Sequence, residues 1–183
     1  MNKEDKKLNS LEGEGLSVSL YPDEWKDIAS LSGNLFSLIK ANNYFLDFHE
    51  LNDEQKSIMI KWGLENNYIK NCKIYKVSFY SGDLDMNVSC NFVNYEEALT
   101  EVCNEEDIEI LDGYIATDKM IERTLNECEP SICIDLLSTI YVEDVLKIDG
   151  VYWEDILDTS ILSAPRGVIN LSQIKNWDIK KIN

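Results

Sequence analysis

The chain holds one histidine, two arginines and five cysteines, so its candidates for imidazole, guanidinium or thiol chemistry can be taken one by one. His49 stands in "FLDFHEL", with Asp47 two residues before it. On a strand the two side chains would share a face, and a carboxylate beside an imidazole can hold the ring as a general base. Arg166 stands in "TSILSAPRG", between a proline and a glycine. Its guanidinium offers a fixed fork of donors suited to an anionic group. His49, Asp47 and Arg166 therefore make a catalytic alternative, a small enzyme in which Arg166 clamps an anionic substrate and His49 or a carboxylate takes a proton. The plainer readings are a polar histidine at a strand end and a turn set by Pro165 and Gly167. In that turn Arg166 would pair with an internal carboxylate such as Asp155 or Asp158.

Other chemistries lack their motifs. No G-x-S-x-G elbow supplies a serine, and neither a P-loop nor a dinucleotide-binding glycine pattern is present. "DLDMNVSCNFVN" begins like a calcium loop at Asp83, Asp85 and Asn87. It then places Val88 where glycine is needed and Asn94 where glutamate is needed. Cys72, Cys90, Cys103, Cys128 and Cys133 include no C-x-x-C pair and no neighbouring histidine, and read as buried thiols in a reducing cytoplasm. No metal and no cofactor is expected.

Charge is the strongest signal. Residues 94–158 carry 19 acidic side chains against three basic ones, a net of −16, within a chain of net −17. Residues 159–183 carry one acidic and four basic side chains, a net of +3. Such an anionic block disfavours direct contact with nucleic acid and steers a basic protein toward it. Carboxylates spaced like backbone phosphates could fill the groove of a nucleic-acid enzyme as a nucleic-acid mimic. The expected binding surface comprises Glu105, Glu106, Asp107, Glu109, Glu143, Asp144, Glu154 and Asp155, with Tyr152 or Trp153 as aromatic anchor. Tyr152 and Trp153 are adjacent on a strand, so they point to opposite faces and one belongs to the core. In charge balance the chain resembles small acidic proteins that inhibit nucleases or restriction systems; the resemblance is one of composition and covers no motif. The first expectation is thus a stoichiometric inhibitor of the immunity, antitoxin or anti-defence type.

The elements that must position these residues read as one α+β domain over residues 16–183, after a polar lead-in at 1–15 that lacks the apolar run of a secretion signal. No apolar run is long enough to span a bilayer, so the expected setting is cytoplasmic; oligomeric state stays open. Alternation predicts a strand in "GLSVSL" and a hairpin joining "KIYKVSFY" to "LDMNVSCNFV". "NLFSLIKANNYFLDF" predicts two strands about a turn at 41–43, and "VLKIDGVYW" a hairpin turning at Asp149-Gly150. Asn52 with Gln55 predicts a capping box opening a helix whose buried stripe is Ile58, Trp62 and Leu64. Three to four short helices are expected around a mainly antiparallel sheet.

Overall fold

The computed structural model of the chain describes residues 15–28, 34–81, 86–102, 107–124, 130–157 and 163–182. The lead-in at 1–14 and the hairpin tip at 82–85 lie outside the described residues, as do Cys103, Glu105, Glu106, Cys128 and Asp158. In chain order the elements are β1 (Leu16–Val18), α1 (Pro22–Ile28), β2 (Phe36–Ile39), β3 (Phe45–Asp47), α2 (Asp53–Glu65), β4 (Ile69–Ser81) and β5 (Met86–Phe92). There follow α3 (Tyr95–Thr100), β6 (Ile108–Ala116), α4 (Asp118–Thr124), α5 (Cys133–Tyr141), β7 (Gly150–Trp153), β8 (Arg166–Ile169) and β9 (Asp178–Lys181). Short 3-10 turns occupy Pro130–Ile132 and Ile174–Asn176. The class is α+β, with one more described helix than the upper expectation.

Among the described residues the strands form three sheets, ordered β1-β8-β7-β3, β5-β4-β6 and β2-β9. Every pairing is antiparallel except β3 with β7. The expected β4–β5 hairpin forms, from Tyr75 opposite Phe92 to Ser81 opposite Met86. Two expected hairpins do not. Both strands of "NLFSLIKANNYFLDF" exist, yet β2 pairs with β9 and β3 runs parallel to β7. Asp149 explains the divergence. It is buried, its carboxylate pairs with Lys40 and accepts the Tyr44 N–H at 2.9 Å, and its own N–H donates to the Tyr44 carbonyl. The segment between β2 and β3 is thereby tied to the start of β7.

Asp149 is therefore no turn residue, and "VLKIDGVYW" is a helix end leading into a strand. Val142–Leu146 continues α5 as a π-turn, closed by Lys147 in the left-handed region at φ 57°. Gly150 is required by space: a Cβ there would lie 1.9 Å from the Val168 carbonyl oxygen.

One core cluster joins Met59 of α2, Tyr68, Ile69, Ala116, Met120 and the inner face of α5, including Leu136, Leu137 and Ile140. A smaller one joins Val142, Val151, Trp153 and Val168. Phe48 packs against both, so the turn after β3 stitches them together. The capping box at Asn52 and Gln55 is present in both directions. The stripe of α2 is displaced, however. Met59 and Gly63 are buried, Trp62 and Leu64 are partly covered, and Ile58 faces solvent.

Candidate functional site

Arg166 opens β8, with Ala164 and Pro165 buried before it. The Pro165 carbonyl accepts hydrogen bonds from Ser19 Oγ and Trp25 Nε1, each at 3.0 Å, which fixes the backbone leading to the arginine. In the β7–β8 register Arg166 lies opposite Trp153, and its guanidinium carbon stands 5.2 Å from the indole centroid. From there Nη1 donates to Asp155 Oδ2 at 2.6 Å, and Nη2 lies 3.9 Å from Asp135 Oδ2 on α5. The other Asp155 oxygen is 3.2 Å from His49 Nε2. Four side chains from four segments thus converge: His49, Asp135, Asp155 and Arg166.

This convergence answers part of the catalytic alternative and corrects part of it. Arg166 and His49 do meet, through Asp155. Asp47 does not orient the imidazole; its Oδ1 accepts the His49 backbone N–H at 3.1 Å. The reason is local: β3 stops at Asp47, so His49 sits in a turn and the same-face rule for strands fails. Arg166 already faces two carboxylates. Burial pushes the Asp135 carboxyl above its ordinary range, Arg166 opposes that shift, and Asp155 reinforces it. His49 and Lys56 oppose it more weakly. Asp135 and Lys56 were not singled out from sequence. The available signal was a lone charge in the apolar helix "CIDLLSTIY", since a charge on a core-facing helix needs a partner.

The second arginine anchors a separate network. Arg123 on α4 grips Asp144 with two bonds, Nη1 to Oδ2 at 2.5 Å and Nη2 to Oδ1 at 2.9 Å. Tyr68 Oη accepts from Arg123 at 2.9 Å and donates to Asp144 at 3.2 Å. Lys119 Nζ stands 4.0 Å from the Tyr68 ring centroid. Hydrogen bonding from Arg123 holds the Asp144 carboxyl below its usual range, against the opposing effect of burial.

These networks divide the expected binding surface. Trp153 is core, with only 2% of its surface exposed, so it cannot serve as a surface anchor. Asp144 and Asp155 are engaged by the arginines, and Glu109 lies 3.4 Å from Lys76 across the β4–β6 pair. Tyr152 and Glu143 are partly buried; Asp107 and Glu154 are exposed. Burial, aided by Glu154, raises the Tyr152 phenol above its ordinary range.

Cross-strand register accounts for further neutralisation: Lys73 opposes Asp112 and bonds it at 2.6 Å. What remains unpaired among the described acidic residues of 94–158 is Glu96, Glu97, Glu101, Asp107, Asp118, Glu122, Glu143 and Glu154. All but Glu143 are exposed. Three of them belong to α3 and its C-cap. That helix buries Ala98 and sets Tyr95 against Tyr75 at 5.3 Å, which leaves Glu96, Glu97 and Glu101 in solvent. Local sequence does not show which carboxylates are neutralised, because their partners come from distant strands.

A shallow depression of about 240 Å³ on the three-stranded sheet is lined by Ile74, Leu111, Tyr114, Pro130 and Ile134 among others, and none of the His49 or Arg123 networks reaches it. Burial raises the Cys72 thiol above its ordinary range, away from a reactive thiolate. Among the described residues no three His, Cys, Asp or Glu side chains are placed to hold a metal ion, and no helix is long and apolar enough to cross a membrane. Comparison with protein-family models, curated proteins and solved structures found no match to this chain.

Proposed function

We propose that the chain is an acidic protein-binding protein, a stoichiometric inhibitor of the immunity, antitoxin or anti-defence type, which presents an anionic surface to a basic partner. One observation carries this reading. After every ion pair among the described residues is assigned, Glu96, Glu97, Glu101 and Asp107 remain exposed without a cation at the α3 end of the acidic segment. Free surface charges of one sign raise association rate and specificity for an oppositely charged surface. A nucleic-acid enzyme is the partner class whose basic groove fits such a surface. The test is capture of interacting proteins from the source cell at low and high salt. The bait is the full chain, compared with a variant carrying Gln or Asn at those four positions. A basic protein retained at low salt should elute as salt rises, and the variant should lose it by at least about tenfold. Equal recovery by both baits would discard this surface.

The enzyme reading retains one favourable observation, the meeting of His49 and Arg166 on Asp155. An anionic substrate would have to displace Asp155 or Asp135 from Arg166. Any activity found in the protein that survives both Arg166→Ala and His49→Ala would remove this reading.

A further inference from the structure

The β2–β9 ribbon stands apart from both cores. Its strands contact each other, and among the described residues neither has a second strand neighbour nor extended contact with another element. Two strands alone are marginal in water, yet this pair exposes Phe36 at 51% and Ile179 at 57%. Its two edges, unpaired among the described residues, differ. The β9 edge, "DIKK", carries Asp178, Lys180 and Lys181, the kind of charge that blunts strand addition. The β2 edge, "FSLI", carries no charge.

The register shows what the β2 edge offers. Ile182 N–H donates to the Leu35 carbonyl, so the hydrogen-bonded pairs continue at Ser37 with Lys180 and Ile39 with Asp178. Phe36 and Leu38 therefore turn their peptide groups away from β9.

We propose that this chain dimerises by antiparallel pairing of β2 with β2 of a second copy, forming a continuous four-stranded sheet β9-β2-β2-β9. Two-fold symmetry makes the contact self-complementary. Phe36 of each copy meets Leu38 of the other in hydrogen-bonded pairs, and Ser37 faces Ser37 on the axis. Phe36 and Leu38 share a face with Ile179, so the joined sheet gains an apolar stripe across its centre. The same operation through β9 would set Lys180 against Lys180, which like-charge repulsion opposes. Long-range charge opposes the contact at low ionic strength, because each copy carries a net −17.

The inference does not rest on the acidic surface, and replacing the α3 carboxylates leaves the dimer intact. Sedimentation of the full chain should show the weight-average mass climbing from 21.1 kDa toward twice that value as concentration rises. Added salt should strengthen the association by screening two like-charged bodies. Ser37→Cys should form a disulfide-linked dimer under mild oxidation, because a non-hydrogen-bonded antiparallel pair has the Cα spacing of a disulfide. Lys180→Cys should not, beyond the background of the native cysteines. Phe36→Lys, with unchanged circular dichroism, should shift the dimer midpoint at least about tenfold upward in concentration. A monomer at every concentration overturns the proposal, as does Ser37→Cys cross-linking no faster than Lys180→Cys. The first result stands even if a variant fails to fold.

Discussion

Asp144 and Asp135 rest on the chain's two arginines in opposite ways, and the difference is measurable. The bidentate grip of Arg123 lowers the Asp144 pKa, so its stabilisation is complete above the unfolded carboxylate value of about 4 and is lost as pH falls through the folded value. Burial raises the Asp135 pKa, so the folded state binds that proton more tightly than the unfolded state. Its contribution is fully present below about pH 4 and fades as pH rises through the folded value. Asp144→Asn should therefore cost about 1 kcal/mol at pH 7, after allowance for solvent screening of a partly exposed pair, and little near pH 3. Asp135→Asn should cost less at pH 7, since it removes a charge that burial already disfavours. Urea unfolding of both variants at the two pH values checks this. A loss from Asp135→Asn equal to that from Asp144→Asn at pH 7 would contradict the assignment.

At the element scale, two positions hold the secondary structure in place by different means. Asn52 and Gln55 satisfy the first N–H groups of α2 reciprocally, a local device that was legible from their spacing. Asn52→Ala should cost about 1 kcal/mol and lower Tm by about 2–4 °C, read by thermal unfolding. Gly150 acts through tertiary contact. Its Cβ position is occupied by the backbone of β8, so Gly150→Ala must part β7 from β8 or twist the strand. A loss of about 3 kcal/mol or more, or failure to fold, is expected from clash with backbone that cannot rotate away. A Tm within a degree of the parent would mean that the two strands approach less closely than described. The "DG" dipeptide suits a turn, yet here the glycine is needed for close approach, and the positive φ falls on Lys147.

For the whole molecule, the anionic excess is partly answered from within. Lys76, Lys73, Arg123, Lys40 and Arg166 reach from outside or across the acidic segment to hold six of its described carboxylates. The remainder repel one another and the body as a whole. Thermal stability should rise as sodium chloride is raised from about 10 mM to about 150 mM, where the Debye length falls to about 8 Å. The expected gain is a few degrees in Tm, measured by calorimetry at pH 7; a flat or falling Tm would show that internal ion pairs outweigh the repulsion. In a binding assay the same salt should weaken the proposed contact with a basic partner, so stability and binding are expected to move in opposite directions.

Patterns with short range were readable from the chain alone. The α+β class, the β4–β5 hairpin, the α2 capping box and the concentration of charge in 94–158 all depend on alternation, spacing or composition. That Arg166 would meet an internal carboxylate followed from its place beside that charge, but the choice of Asp155 did not. Tertiary structure alone decided the rest. It sent β2 to β9, and it ran β3 parallel to β7 once Asp149 was buried with Lys40 and Tyr44. It placed His49 on Asp155 instead of Asp47, and it put Trp153 inside while leaving the α3 carboxylates free. In each case the deciding partner lies far away in the chain. Alternation identifies a strand but not its neighbour, and a carboxylate's charge is visible in sequence while the cation that answers it is not.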